Sequence, residues 1–275
     1  MNVLICCEDS LMLSQQTIET VQSTIPLLAE HGQKITEHFY ESLFKAHPEL
    51  KNIFNENNQK DGNQARALAD AVFAYANNIT NFEALIPAVQ RIANKHVSLG
   101  IKPEQYPIVG QHLLAAIQEV LSLPDEHPAL TAWAEAYGVL ADVFINTEED
   151  LYKEKESVDG GWRGFREFVI ADIVSETPEV KSFYLQPKDK GALPVFHGGQ
   201  YVGIKVSPDN SDYEQIRQYS LSGQSGKNYL RITTKAELQG LVSNHLHKSP
   251  AETVVKLQVP AGVFNLDLNA KQHVF

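Results

Sequence analysis

Apolar residues recur at spacings of three and four from Ser14 to about Lys153, and at a spacing of two from Trp162 onward. The first period belongs to helices and the second to strands. Residues 63–77 (NQARALADAVFAYAN) are rich in alanine, a strong helix former, and Gln64, Leu68, Val72 and Tyr75 share one face there. Leu85, Val89, Ile92 and His96 line a face of 83–99, which Gly100 ends. Lys102-Pro103-Glu104 is read as opening the next helix, with a proline and an acid in its first turn. Leu130, Trp133, Tyr137, Leu140, Phe144, Glu148 and Leu151 form the stripe of the last helix. Ser14 has the position of a helix cap. The pattern predicts an all-α domain over 12–151, with 1–11 as a disordered extension.

The segment YKEKESVDGGW (152–162) is charged and then glycine-rich, and reads as a linker. Beyond it Phe168 and Ile170, Phe183 and Leu185, Val202, Ile204 and Val206, Leu230 and Ile232, and Val255, Leu257 and Val259 alternate with other residues. Turn clusters at 188–191, 207–212 and 223–228 separate these runs. The expectation is an antiparallel β-barrel, closed on itself, over 163–267. One covering helix is expected in QGLVSNHLH (239–247).

Composition narrows the partners. Net charge is −11, with 34 acidic against 23 basic residues. That argues against binding a phosphate backbone or an anionic membrane. No apolar run is long enough to span a bilayer. Cys6 and Cys7 are the only cysteines and stand next to each other, which excludes a disulfide framework and fits a cytoplasmic protein.

Four residues break the apolar faces of the helical half: Tyr40, Gln64, His96 and Glu148. Each alone has a plain explanation, since buried polar groups usually find ordinary partners. Together they suit a haem. A five-coordinate haem iron takes one neutral imidazole, most often from histidine. Tyr40 and Gln64 are hydrogen-bond donors for the opposite side, and Leu68, one turn on, limits the pocket's size. A carboxylate such as Glu148, oriented with Tyr106, can accept from the imidazole's other nitrogen and raise its donation to the metal. Stronger donation favours oxygen activation over reversible carriage.

Residues 12 to 275 resemble the bacterial flavohaemoglobins, in which a globin is fused to a ferredoxin-reductase-like flavin domain. The stretches that carry the resemblance are IPLLAEHGQKITEHFYESLF, HPELKNIFN, KHVSLGIKPEQYPIVGQHLL and WAEAYGVLADVFINTE, then GGQYVGI, IRQYSLS and VSNHLH. The resemblance implies haem b on His96 and a polarising pair in Tyr106 and Glu148. It puts Tyr40, Gln64 and Leu68 in the distal pocket, Phe54 against the porphyrin, and Lys95 near the flavin edge. Arg217, Gln218, Tyr219 and Ser220 follow the family's flavin motif, and Tyr201 matches a further FAD contact. A guanidinium is a planar charged fork suited to pyrophosphate. Gly240, Val242 and Ser243 open the covering helix, where backbone N–H groups favour phosphate.

Two departures stand out. The glycine pair the family carries before VSN is here Gln239-Gly240-Leu241. No glycine-rich nicotinamide loop follows, so 268–275 is expected to begin a domain of a longer parent. The resemblance implies a nitric oxide dioxygenase, monomeric and cytoplasmic, acting on O2 and NO with electrons passed from NAD(P)H through FAD to haem. The alternative is an oxygen-binding or oxygen-sensing globin with a vestigial reductase half. Tyr106 and Glu148 discriminate, because a carrier has no need of a strongly donating ligand.

Overall fold

The computed structural model describes residues 13–54 and 62–264. The extension at 1–11, with Cys6 and Cys7, and the stretch 268–275 lie outside the described residues. The chain divides into two compact units. One comprises residues up to Gln90 with Ile101–Glu149, and the other Arg91–Gly100 with residues from Asp150 onward.

In the first unit Ser14 caps α1 (Gln15–Ser23) by accepting from the Thr17 amide at 3.0 Å. The helix α2 (Ile25–Ala46) buries Leu28, Ile35, Phe39 and Leu43, whose spacing of seven, four and four keeps them on one face. It packs on α3 (Asn63–Asn77) and α5 (Gln105–Leu121). Along the chain α4 (Ile86–Leu99) comes next, preceded by a 3-10 turn at Phe82–Leu85, and from Arg91 onward it belongs to the second unit. Lys102-Pro103-Glu104 does not form a first turn. The α5 helix begins at Gln105, because the chain still turns between Lys102 and Gln105. Trp133 of α6 (Pro128–Ser157) donates to the Thr24 hydroxyl at 3.1 Å, which ties the last helix to the start of α2. Helix continues to Ser157, through the first half of the segment read as a linker.

In the second unit six antiparallel strands run β1 (Arg166–Thr177), β2 (Val180–Pro187), β3 (Tyr201–Val206), β4 (Gln215–Ser220), β5 (Leu230–Lys235) and β6 (Val254–Leu257). Their order in the sheet is β4-β3-β6-β1-β2-β5. The alternating residues Phe168, Ile170, Phe183, Leu185, Val202, Ile204, Leu230, Ile232, Val255 and Leu257 form its core. Val242 and Leu246 of α7 (Leu241–Lys248) cover that core, and Trp162 joins it while donating to the Leu257 carbonyl at 3.1 Å.

The expected closed barrel is not formed. The end strands β4 and β5 meet at one isolated bridge, Leu221 to Ile232, rather than along a ladder. Most of the outer edge of β4 therefore carries no strand among the described residues. No helix among the described residues is long and apolar enough to cross a membrane.

Candidate functional site

Two polar pairs stand inside the helical unit, the first with a buried tyrosine and a half-buried glutamine, the second with both residues buried. The first depends on how α2 crosses α3. Thr36 donates to the Ala65 carbonyl at 2.8 Å, and a Cβ at Gly32 would stand in ordinary contact, 3.6 Å, from Ala69. Tyr40 is one turn beyond Thr36 and Gln64 adjoins Ala65, so the crossing brings Tyr40 and Gln64 into hydrogen bonding. Tyr40 is 8% exposed. Its ring lies 5.7 Å from Phe44, nearly parallel at 19°, and 5.7 Å from Phe54, edge-on at 74°. Burial holds the phenol well above the ordinary tyrosine range, and the bond with Gln64 opposes that only in part. The result is a neutral hydroxyl and an amide at an aromatic wall. Leu68 is half-buried one turn beyond Gln64.

The second pair joins α5 to α6. Tyr106 donates to Glu148 Oε1 at 2.5 Å, and the two residues are 8% and 3% exposed. A carboxyl so buried is costly unless hydrogen-bonded, and a short phenol–carboxyl bond offsets that cost. The Tyr106 ring stacks on Phe144 at 6.4 Å and 22°. Its backbone carbonyl accepts from the Tyr137 hydroxyl at 2.7 Å. The Tyr137 ring in turn lies directly on Gly110, where a Cβ would come within 2.4 Å of it. Glycine at 110 is thus what lets Tyr137 reach Tyr106.

His96 and Lys95 lie in the last turns of α4, His96 half-buried and Lys95 exposed. No group of three or more potential metal-ligating side chains occurs among the described residues. A metal that brings its other ligands on a ring asks the protein for one imidazole.

The second unit gathers the remaining residues at the β3–β4 edge. The register sets Tyr201 opposite Ser220, Gly203 opposite Gln218 and Ile204 opposite Arg217. Alternation then sends Arg217 and Tyr219 to one face of β4, and Gln218 and Ser220 to the other. A flat ligand along the open edge would meet both sets. Burial pushes the Tyr219 phenol up to about 12, with the nearby Arg217 charge opposing. Arg217 donates to the Ile216 carbonyl at 2.8 Å and to Gln215 Oε1 at 3.2 Å, so its fork is held. Tyr201 exchanges backbone hydrogen bonds with Ala261 at 2.9 and 2.8 Å, and its ring lies against Gly262.

The α7 helix lies against β4 with Gly240 at its N-cap. A Cβ there would stand 2.2 Å from Ser243 Oγ, so the site takes glycine. Val242 is 1% exposed and its side chain belongs to the core, which leaves its backbone N–H for any ligand at this end. A first-turn amide set, a fixed guanidinium and two tyrosines fit a dinucleotide with a flat ring.

Sequence reasoning missed three residues here, Asn94, Ser98 and Gly203. A Cβ at Gly203 would lie 2.0 Å from the Ser98 carbonyl oxygen, so α4 rests on β3 at that point. A glycine inside YVGIKV was the available signal, since it marks close backbone approach.

Residues 37–144 match the Globin family, and residues 167–266 match the Oxidoreductase FAD-binding domain. A flavohemoprotein of Bacillus cereus is 51% identical over 265 residues, covering 94% of this chain and 65% of the relative. One of Oceanobacillus iheyensis is 47% identical over 263 residues, with the same two shares of 94% and 65%. The chain thus spans 65% of the length of these curated relatives. The crystal structure of a flavohemoglobin from Malassezia yamatoensis, with bound FAD and heme, superposes with a TM-score of 0.83. Its identity is 28%, and the match covers 94% of this chain and 67% of that one.

Proposed function

We propose that this chain, which matches the Globin family and the Oxidoreductase FAD-binding domain in succession as the flavohaemoproteins pair them, works in nitric oxide dioxygenation, turning NO and O2 into nitrate. In this reading His96 holds the iron of haem b, Phe54 packs on the porphyrin, and Tyr40, Gln64 and Leu68 line the side that admits the gases. FAD lies along the β4 edge, at Tyr201, Arg217, Gln218, Tyr219 and Ser220, with its phosphates toward Gly240, Val242 and Ser243. Lys95 serves near the flavin edge. When bound, haem supplies the iron at which the gases combine, and FAD supplies electrons drawn from NAD(P)H. The protein acts as a cytoplasmic monomer.

One observation carries the reading: the Tyr106–Glu148 bond of 2.5 Å, with Glu148 only 3% exposed. Tyr106 fixes the carboxyl, and Glu148 is in this reading the acceptor for the N–H of the imidazole that is not on the metal. Such an acceptor makes the imidazole a stronger donor. That suits a haem that activates oxygen, and a carrier has no use for it. Tyr40, kept neutral by burial, holds its O–H available at the other side.

The test is spectroscopic and kinetic. Purified chain supplied with haem and FAD should show a ferrous–CO Soret band and a flavin spectrum. His96→Ala should lose the first and keep the second, while Glu148→Gln should keep both and slow NO consumption under a chemical reductant. Retention of haem by His96→Ala at unchanged affinity would refute the ligand assignment.

A further inference from the structure

The turn of α4 that carries His96 makes its own bonds to the flavin-site strands. Ser98 is wholly buried. Its hydroxyl donates to the Lys95 carbonyl at 2.7 Å and accepts from Gln218 Nε2 at 3.1 Å. Burial raises the Tyr201 phenol, and the Ser98 side chain opposes that shift, so the two groups are close. A serine hydroxyl has one proton and two lone pairs. With the proton committed to Lys95, a lone pair takes the Gln218 amide. One turn earlier, Asn94 Oδ1 accepts from the Gly262 amide at 3.1 Å, and Gly262 lies under the Tyr201 ring. The absence of a Cβ at Gly203, opposite Gln218, brings the Ser98 backbone onto β3.

We propose that Ser98 is a positioning residue that ties the flavin-contacting side chains Tyr201 and Gln218 to the helical turn holding His96, so that flavin occupancy is felt at the haem ligand. The inference rests on the reading of His96 and the β4 edge given above. Ser98 holds Gln218 in place for a flavin, so a load that the flavin puts on Gln218 is carried to Ser98. Ser98 is bonded in turn to the carbonyl of Lys95, the residue before His96. The coupling therefore runs through hydrogen bonds and one rigid helical turn.

The experiment uses the full chain with haem, in the presence and absence of FAD. Flavin fluorescence gives FAD affinity, and resonance Raman of the ferrous haem gives the iron–histidine stretching band. In the unaltered chain that band should shift when FAD binds. Ser98→Ala should raise the FAD dissociation constant roughly tenfold, the scale of one or two lost hydrogen bonds, and abolish the shift. Ser98→Thr, which keeps the hydroxyl, should restore both. A band that ignores FAD in the unaltered chain, or a shift that survives in Ser98→Ala, overturns the proposal. A chain that takes up neither haem nor FAD overturns the underlying reading as well, so the two failures are distinguishable.

Discussion

Gly110→Ala should destabilise the helical unit although it places the best helix former in the middle of a helix. The built Cβ would stand 2.4, 2.8 and 3.1 Å from three ring atoms of Tyr137, where carbon–carbon contact is ordinarily about 3.5–4.0 Å. The ring cannot retreat without giving up its 2.7 Å bond to the Tyr106 carbonyl. Exchanging glycine for alanine within a helix gains about 1 kcal/mol. Overpacking a filled site costs about 1–3 kcal/mol, and the lost hydrogen bond about another 1 kcal/mol. The net loss is therefore about 1–3 kcal/mol. Removing the ring reverses the sign. In a Tyr137→Ala background the clash and the bond are gone, and alanine at 110 should stabilise by about 0.5–1 kcal/mol, mostly as helix propensity. The assay is urea unfolding followed by Trp133 fluorescence, in a Trp162→Phe background that silences the only other tryptophan. Trp133 is 3% exposed and sits in the helical unit, so it reports that unit alone. Additive effects of the two substitutions, with Gly110→Ala destabilising equally in both backgrounds, would refute the packing argument.

Three further outcomes are expected. Tyr106→Phe removes the donor to the buried Glu148 and should cost the helical unit about 1.5–3 kcal/mol, the range for a bond to a charged or strongly polar acceptor; the same Trp133 titration measures it, and an unchanged midpoint would contradict the bond's role. Gln258→Leu should be neutral or stabilising in calorimetry by up to about 1–2 kcal/mol, because Gln258 is wholly buried with neither amide atom hydrogen-bonded; a large loss would mean that the amide has work not visible in the fold. Tyr219 is raised by burial to about 12 from an ordinary value of 10.0. A folded-state pKa above the unfolded one means that this stabilisation is complete below pH 10 and lost as pH climbs toward 12. Phenolate absorbance should therefore show Tyr219 titrating late, with unfolding of the β unit promoted in that window and weakened in Tyr219→Phe.

Much of the fold was legible in the periods. Ser14 was recognisable as a cap, Gly100 as a stop, and the alternating residues from Phe168 to Leu257 as a core, because each signal is local. The start of α5 was misplaced because proline and an acid suit a first turn and also suit the turn before one. Barrel closure was misjudged for a different reason. Strand alternation tells which face is buried, yet whether β4 and β5 pair is set by sheet twist and loop paths that no single strand encodes.

The sequence by itself determined that the chain has a helical and a β half, which residues point inward in each, and which polar residues stand where apolar ones belong. Tyr40, Gln64, His96 and Glu148 were visible as exceptions because periodicity makes exceptions visible. Their partners were not. That Tyr40 meets Gln64, that Tyr106 meets Glu148, and that Ser98 gathers Lys95, Gln218 and Tyr201 depends on helix crossings and strand register. The bonds from Ser98 to Gln218 and from Tyr106 to Glu148 join residues 120 and 42 positions apart. Only packing can bring such residues within 3 Å or so, and a glycine such as Gly203 or Gly110 shows its purpose only when the atom it makes room for is in place.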